Sequence, residues 1–169
     1  MSSAKTVYLD YAASAPVREC SLEAERRYAS ADYAGANPNS LHGMARLAAR
    51  ALDQARADLA RCLGGRFRPA EVTFTSGGTE SNNLALFGLA EGARERDRRR
   101  TKVIVSAIEH DSVLDVASPL RALGFEVVLA RPGRDGKVSC ETLEALVGPD
   151  PALVSIMYAN NETGVIQPV

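Results

Sequence analysis

The sequence predicts an α/β fold in which a mostly parallel sheet is flanked by helices. Two observations support this prediction: strand-like and helix-like segments alternate from residue 72 onwards, and the later predicted strands are short, continuous apolar runs. Such runs are typical of parallel strands whose two faces are both buried. The length of 169 residues and the hydrophobic content of 46% fit one globular domain with a substantial core.

The first part of the chain is predicted to contain an arm, two helices and a loop. Residues 7–16 begin as a short extended segment, and residues 19–31 form the first predicted helix. Residues 33–43 are rich in glycine, proline and asparagine, which predicts a loop. From Met44 the apolar residues recur every three or four positions as far as the glycines at 64 and 65. This spacing predicts an amphipathic helix of about five turns.

Residues 72–84 read VTFTSGGTESNNL and are predicted to run from a strand through a glycine turn into a helix. Gly77 and Gly78 allow a tight turn, Thr79 can cap the helix, and Glu80 lies in its first turn, where the positive helix end favours a carboxylate. Free N–H groups at such a helix start can bind phosphate. An ordinary strand-to-helix connection has the same pattern, so this stretch alone leaves both interpretations open.

Three further strands and two further helices are predicted after that helix, which continues to about residue 93. The strands cover residues 102–106, 125–130 and 152–158, and the helices cover residues 113–123 and 140–147, the second of them capped by Ser139. Residues 94–102 contain six basic side chains interrupted by two acidic ones, with no aromatic residue among them. This composition favours a solvated helix end and loop over a nucleic-acid patch.

Polar residues follow the predicted strands at the edge where ligands bind in open α/β sheets. Glu109 and His110 follow the strand at 102–106, and residues 160–164 (Asn-Asn-Glu-Thr-Gly) follow the last strand. His110 at a strand end beside a glycine turn favours a functional role over a structural one. The asparagines either form a turn or bind a polar ligand, and His42 has a local role in its loop at least as readily as a functional one.

The charge and the cysteines narrow the function classes. A formal net charge of −1 gives no electrostatic reason to expect nucleic acid or a membrane surface as a partner, and no apolar run approaches the roughly 20 residues of a membrane helix. The three cysteines are widely spaced, which predicts neither disulfides nor a metal site and favours the reducing cytoplasm.

Five motifs in this chain resemble, in order and spacing, the amino-terminal part of the class V pyridoxal-phosphate-dependent cysteine desulfurases. The closer resemblance is to the branch that supplies sulfur for iron–sulfur clusters. The motifs lie at residues 8–13, 37–42, 73–83, 109–115 and 160–164. The resemblance spans the whole chain and implies part of the large domain of the class V, fold type I, transferase fold.

The resemblance implies removal of sulfur from L-cysteine, which gives L-alanine and an enzyme persulfide, with pyridoxal 5'-phosphate as cofactor. By motif, Gly78 and Thr79 would bind the cofactor phosphate, and His110 would stack on the pyridine ring and move protons. Asn161 would bond the phenolic oxygen of the ring, and Asn37 would lie near the substrate entrance. Further partners would be sulfur-acceptor or scaffold proteins, and the full-length form would be a homodimer.

The family's Schiff-base lysine and nucleophilic cysteine have no counterpart in this chain. Lys5, Lys102 and Lys137 match no Schiff-base motif. We therefore expect an amino-terminal fragment that is inactive alone, with residues 1–45 as arm, helix and entrance loop and residues 46–169 as an incomplete cofactor-binding large domain. Another class V activity, such as selenocysteine lyase or an aminotransferase-like reaction, and a truncated non-catalytic module are the alternatives.

Overall fold

The computed structural model describes residues 6–64 and 66–169, so Lys5 and Gly65 lie outside the described residues. The chain divides into two compact units, Met1–Phe74 and Thr75–Val169. The domain boundary after residue 45 that the resemblance implies stays a prediction. None of the helices in the described ranges is long and apolar enough to cross a membrane.

The first unit is helical. Helix α1 covers Glu19–Ala29, helix α2 covers Gly43–Cys62, and a 3₁₀ turn covers Pro69–Glu71. The two predicted helices are confirmed to within two residues at each end. His42 begins α2, because its Nδ1 accepts a hydrogen bond from the Ala45 N–H at 3.3 Å. A local capping contact is therefore what the structure shows for this side chain.

The strand predicted at residues 72–75 is wrong. Val72 has extended dihedral angles, φ −94° and ψ 117°, but residues 72–75 pair with no strand in the described part of the chain. The strand-like start of residues 7–16 is likewise unpaired in the described ranges. Alternation of β-branched residues sets an extended backbone, whereas a strand also needs a hydrogen-bonded neighbour.

The second unit alternates helices and strands as predicted. Its elements are α3 (Gly78–Arg96), β1 (Lys102–Ser106), α4 (Asp111–Leu114), α5 (Ala117–Ala122), β2 (Glu126–Ala130), α6 (Cys140–Val147) and β3 (Pro151–Ser155). The single helix predicted at 113–123 is two short helices, and β3 ends three residues before the predicted end. The Ser139 cap is confirmed, since its hydroxyl oxygen accepts from the Thr142 N–H at 3.2 Å.

The three strands form one parallel sheet with the order β2-β1-β3. Ile104 in the central strand is paired with Val128 on one side and with Val154 on the other. All three strands therefore present their carboxyl ends at the same edge. The predicted mostly parallel sheet is confirmed.

Both faces of the sheet are covered. Val103 and Val105 of β1 point to one face, where they pack with Leu86 and Ala90 of α3 and with apolar residues of α4 and α5. Ile104 points to the other face, where it packs with Val128, Ala130, Val138 and residues of α6. The side chains of Val103, Ile104 and Val105 are at most 2% exposed. Successive side chains of β1 point to opposite faces of the sheet, and those of its three central residues are apolar. Both faces of the sheet can therefore pack against helices.

The basic segment at residues 94–102 is anchored at its first residue. The Arg94 guanidinium lies over the Phe125 ring at 4.1 Å from the ring centre, and it donates to Glu91 at 2.7 Å and to the Leu123 carbonyl at 2.7 Å. Residues 98–100 are exposed. The segment is thus a helix end with one packed arginine and a solvated turn.

The last residues of the chain close a turn against the loop that precedes α6. The buried Gln167 side chain accepts from the Val138 N–H at 2.8 Å and donates to the Gly136 carbonyl at 3.0 Å. Gly136 has φ +76°, and a Cβ there would lie 3.2 Å from Val165. A side chain at this position would be strained and crowded, so the turn depends on glycine.

Candidate functional site

The start of α3 differs in detail from the prediction. Gly77 is the cap residue with an extended backbone, φ 168° and ψ 177°, and Gly78 is the first helical residue. Neither glycine has a left-handed φ, and a Cβ at either would meet no atom of the described chain within 4 Å. The predicted cap by Thr79 is wrong, because Thr79 already lies within the first helical turn.

Glu80 holds the loop before α3. Its carboxylate accepts from both the N–H and the hydroxyl of Ser76, each at 2.6 Å. These hydrogen bonds, with the hydroxyl contributing most, lower the pKa of Glu80. Thr75 completes the loop, since its hydroxyl bonds with the Ser81 hydroxyl at 2.6 Å and donates to the Gly77 carbonyl at 3.1 Å. The turn is thus shaped by side chains on both sides of the glycines.

This arrangement leaves a helix start with free donors. The Ser81 N–H donates to the Gly77 carbonyl at 3.1 Å and begins the helical hydrogen bonding. The N–H groups of Gly78, Thr79 and Glu80 have no acceptor among residues 6–64 and 66–169. Three free N–H groups at the positive end of a 19-residue helix can bind an anion such as phosphate.

Glu109 ties the loop after β1 to the loop after β3. Its Oε1 accepts from the Ser106 hydroxyl at 2.9 Å and from the Met157 N–H at 2.5 Å. Burial raises the pKa of this carboxyl, and the two hydrogen bonds oppose that rise. Glu109, the residue before His110, therefore connects the carboxyl end of β1 to the loop after β3.

His110 follows Glu109 and begins α4. Its Nδ1 accepts from the Ser112 N–H at 3.1 Å, so the neutral imidazole carries its proton on Nε2. The Ser112 hydroxyl lies 2.9 Å from the same Nδ1 and accepts from the Asn82 Nδ2 at 2.8 Å. This chain of contacts links the imidazole to the second turn of α3.

Asn160 shapes the loop after β3. Its buried side chain donates through Nδ2 to the Ile108 carbonyl at 2.8 Å. Its Oδ1 accepts from the Glu162 N–H at 3.0 Å and from the Thr163 N–H at 2.8 Å. An asparagine that bonds its own following backbone makes a tight turn. Here the same side chain also fixes that turn to the loop that carries His110.

The two loops border a cavity of about 330 Å³ that is open to solvent. It is lined by residues 108–111 and 160–163, so the structure brings the predicted site residues His110 and Asn161 together. Gly78 and Thr79 do not line this cavity; their helix is linked to His110 through Asn82 and Ser112. Asn37 belongs to the first unit, and its predicted place near the substrate entrance stays a prediction.

Two contributors to the site, Ser112 and Asn82, were not predicted from the sequence. For Asn160 a turn was one of the two roles left open, and its hydrogen bonds to the N–H groups two and three residues later confirm that one. Ser112 stands two residues after a helix-capping histidine, and Asn82 contacts it from thirty residues earlier, a contact with no local pattern. Glu109 was recognised as part of a motif, but its contact with Met157 depends on the fold.

Other candidate groups lie elsewhere. Cys20, Cys62 and Cys140 are exposed and form no disulfide. Within the described ranges, no group of three or more histidine, cysteine, aspartate or glutamate side chains is placed to hold a metal ion.

The model of the family described as aminotransferase class-V matches residues 7–169. This chain belongs to the aminotransferase class-V family. The class V chain is 38% identical over 165 residues to the cysteine desulfurase IscS of Dictyoglomus turgidum, and the match covers 98% of this chain and 40% of that protein. It is 41% identical to the cysteine desulfurase IscS of Glaesserella parasuis, with 96% of this chain and 39% of that protein covered.

Solved structures of similar sequence share the fold. The class V chain superimposes on SspA in complex with cysteine with a TM-score of 0.83 and 39% identity, which covers 96% of this chain and 45% of that one. For DndA from Streptomyces lividans the TM-score is 0.78 and the identity is 42%, and the match covers 96% of this chain and 44% of that one. The structure is therefore part of the class V, pyridoxal-phosphate-dependent transferase fold.

The class V chain spans about 40% of the length of the curated relatives it matches. The family membership that the five motifs indicated is confirmed. The expectation that the chain corresponds to only part of a full-length family member is confirmed as well.

Proposed function

We propose that this chain supplies the phosphate-binding and ring-binding part of a pyridoxal-phosphate-dependent cysteine desulfurase. The reaction would remove sulfur from L-cysteine and give L-alanine and an enzyme persulfide for iron–sulfur clusters or another sulfur-transfer pathway. One observation carries the proposal: His110 and Asn161 line one cavity, and hydrogen bonds through Ser112 and Asn82 link His110 to a helix that begins with three free N–H groups. The relatives named cysteine desulfurase support it.

The residues present fit the cofactor. Its phosphate is an anion, and the free N–H groups of Gly78 and Thr79 with the exposed Thr79 hydroxyl are donors for one. A cavity of about 330 Å³ lined by an imidazole and an amide suits a small aromatic ring with polar substituents. Class V aminotransferases and cysteine desulfurases depend on pyridoxal phosphate.

Each side chain would have a defined task. Gly78 and Thr79 would bind the phosphate, His110 would cover one face of the ring and hold a proton at Nε2, and the Asn161 Nδ2 would donate to the phenolic oxygen. Asn37 would lie near the entrance for L-cysteine. When bound, pyridoxal phosphate supplies an electron sink for the bond changes in the substrate. Proton exchange by a positioned histidine contributes typically 10²–10⁴-fold to such reactions.

We infer the remaining properties from the same proposal. The full-length protein would be a homodimer in the cytoplasm that passes sulfur to acceptor or scaffold proteins. Nucleic acid and membranes are not among its expected partners, in keeping with a net charge of −1.

Replacement of His110 tests the catalytic part of the proposal. In the protein expressed from its complete coding sequence, we expect His110→Gln to retain pyridoxal phosphate with an altered absorbance spectrum. Its rate of sulfide and alanine release should fall by about 10²–10⁴-fold. His42→Gln is the matched control, because His42 caps α2 in the other unit. Near-normal turnover in His110→Gln would refute the catalytic role.

Replacement of Thr79 tests the phosphate site separately. Valine keeps the shape and deletes the hydroxyl, and a hydrogen bond to a charged group contributes roughly 1.5–3 kcal/mol. We expect Thr79→Val to weaken pyridoxal phosphate binding about tenfold or more. Thr101→Val, at the opposite edge of the sheet, is the control. An unchanged affinity of Thr79→Val would refute phosphate binding by the Thr79 hydroxyl. If the unsubstituted protein binds pyridoxal phosphate but releases no sulfide from L-cysteine, another class V reaction is favoured.

A further inference from the structure

Two polar side chains stand behind His110, on the side of the ring where Nδ1 lies. Ser112 is 8% exposed, and its hydroxyl lies 2.9 Å from the imidazole Nδ1. Asn82 in α3 is half-buried and donates through Nδ2 to the Ser112 oxygen at 2.8 Å. Neither side chain lines the cavity with Asn161. Their hydrogen bonds connect them to the cavity through His110.

We propose that Ser112 and Asn82 are positioning residues that keep His110 in the tautomer with its proton on Nε2. The resting imidazole then offers a hydrogen-bond donor at Nε2. The role of this tautomer in a reaction rests on the proposed function. The hydrogen bonds among Asn82, Ser112 and His110 are present in the chain without cofactor.

The direction of the hydrogen bonds supports this role. A serine hydroxyl has one proton and two lone pairs. Because Asn82 donates to the Ser112 oxygen, one lone pair is occupied and the hydroxyl proton can be directed at Nδ1. The Ser112 N–H donates to the same nitrogen at 3.1 Å. The backbone donor favours Nδ1 as the unprotonated nitrogen of the neutral ring, and the hydroxyl, sharing the same lone pair, would strengthen that preference.

The other histidine provides a comparison within the same chain. His42 also caps a helix, and its Nδ1 accepts from the Ala45 N–H at 3.3 Å. In the described part of the chain, no side chain contacts the His42 ring nitrogens, whereas His110 has the serine and asparagine in addition. The difference between the two imidazoles therefore isolates the contribution of the two side chains.

Nitrogen NMR of the 169-residue chain tests the proposal without cofactor. The chain contains two histidines, so a sample labelled with ¹⁵N-histidine gives two rings, which His42→Gln assigns. At a pH where both rings are neutral, we expect His110 to show one fully protonated Nε2 and one unprotonated Nδ1. His42, whose Nδ1 has only the backbone donor within the described ranges, should favour the same tautomer less completely.

Two substitutions should shift that balance. Ser112→Ala removes one donor to Nδ1, and we expect the tautomer ratio of His110 to fall about fivefold. Asn82→Asp replaces a donor by an acceptor, which should draw the Ser112 hydroxyl proton away from Nδ1 and shift the ratio in the same direction. Ser139→Ala, which removes a capping serine elsewhere, and Asn83→Asp, which adds the same charge one residue along, are the matched controls.

The outcomes separate positioning from simple anchoring of α4. Nitrogen shifts of His110 that move in Ser112→Ala and Asn82→Asp, but not in the controls, support the proposal. Unchanged shifts in either variant with an intact backbone amide spectrum would overturn it. If Ser112→Ala does not fold, Asn82→Asp decides alone. An inactive enzyme with the expected nitrogen shifts would refute the proposed function and leave this inference standing.

Discussion

Replacement of Asn160 should separate the two loops of the cavity. Its Nδ2 donates to the Ile108 carbonyl, and its Oδ1 accepts from Glu162 and twice from Thr163, at distances of 2.8–3.1 Å. Four neutral hydrogen bonds at about 0.5–1.5 kcal/mol each give an upper range of about 2–6 kcal/mol. Glu162 and Thr163 are exposed, so water replaces part of this in Asn160→Ala. We expect a loss of about 2–3 kcal/mol in the free energy of unfolding.

An aspartate at this position dissects the contribution. Asn160→Asp keeps the acceptor for Glu162 and Thr163 but places a carboxylate oxygen against the Ile108 carbonyl. Its turn should stay formed while its attachment to the loop after β1 is lost. Amide hydrogen exchange shows the difference: the Glu162 and Thr163 amides should exchange about tenfold faster in Asn160→Ala and remain protected in Asn160→Asp.

Asn161→Ala is the matched control for both variants. The Asn161 side chain is exposed and donates to Glu162 at 3.0 Å, so its loss should change the free energy of unfolding by less than about 0.5 kcal/mol. The assay is chemical denaturation together with exchange measured by NMR. If Asn160→Ala unfolds with the wild-type free energy and keeps the protection of both amides, the idea that Asn160 joins the loops is refuted.

Three further outcomes follow from the structure. Burial raises the pKa of Glu109 above that of the unfolded chain, so the free energy of unfolding should fall as the pH rises from about 4 through the folded pKa. Glu109→Gln should remove that pH dependence in denaturation at a series of pH values. The outer edges of β2 and β3 pair with no strand of the described chain, so we expect the protein to self-associate. Val154→Lys, at a partly exposed position of β3, should shift the mass distribution measured by light scattering towards the monomer, and an unchanged mass distribution would contradict this. The 169-residue chain with added pyridoxal phosphate should release no more sulfide from L-cysteine than free cofactor does. The reason is that neither described lysine lies beside His110: Lys102 is at the amino end of β1, whereas His110 follows its carboxyl end, and Lys137 precedes α6.

The elements that the sequence predicted best are those decided by local pattern. The apolar runs around Ile104 and Val128 had to be buried on both faces, and both became strands of the parallel sheet. The Ser139 cap followed from one residue and the helix after it. The strand at residues 72–75 failed because a strand also requires a neighbour, which no local pattern specifies.

The site divides in the same way. A parallel sheet places every strand end at one edge, so the common edge of His110 and Asn161 was predictable, whereas the adjacency of β1 and β3 that brings them together was not. The helix cap at Thr79 was not, since Ser76 and Glu80 pair with each other and the cap position falls to Gly77. Side-chain bonds across the fold decide such details.

The position of β1 in the middle of the sheet has a consequence for how the chain acquires its structure. β1 is made first, but it lies between two strands that are made later, and its pairing with β3 joins more distant residues than its pairing with β2. We therefore expect β1 to be complete during synthesis before either partner strand, and the longer loop to β3 to close more slowly than the loop to β2. The α3 helix, which forms from local contacts and packs on β1 through Leu86 and Ala90, is the element available to shield the strand during that interval.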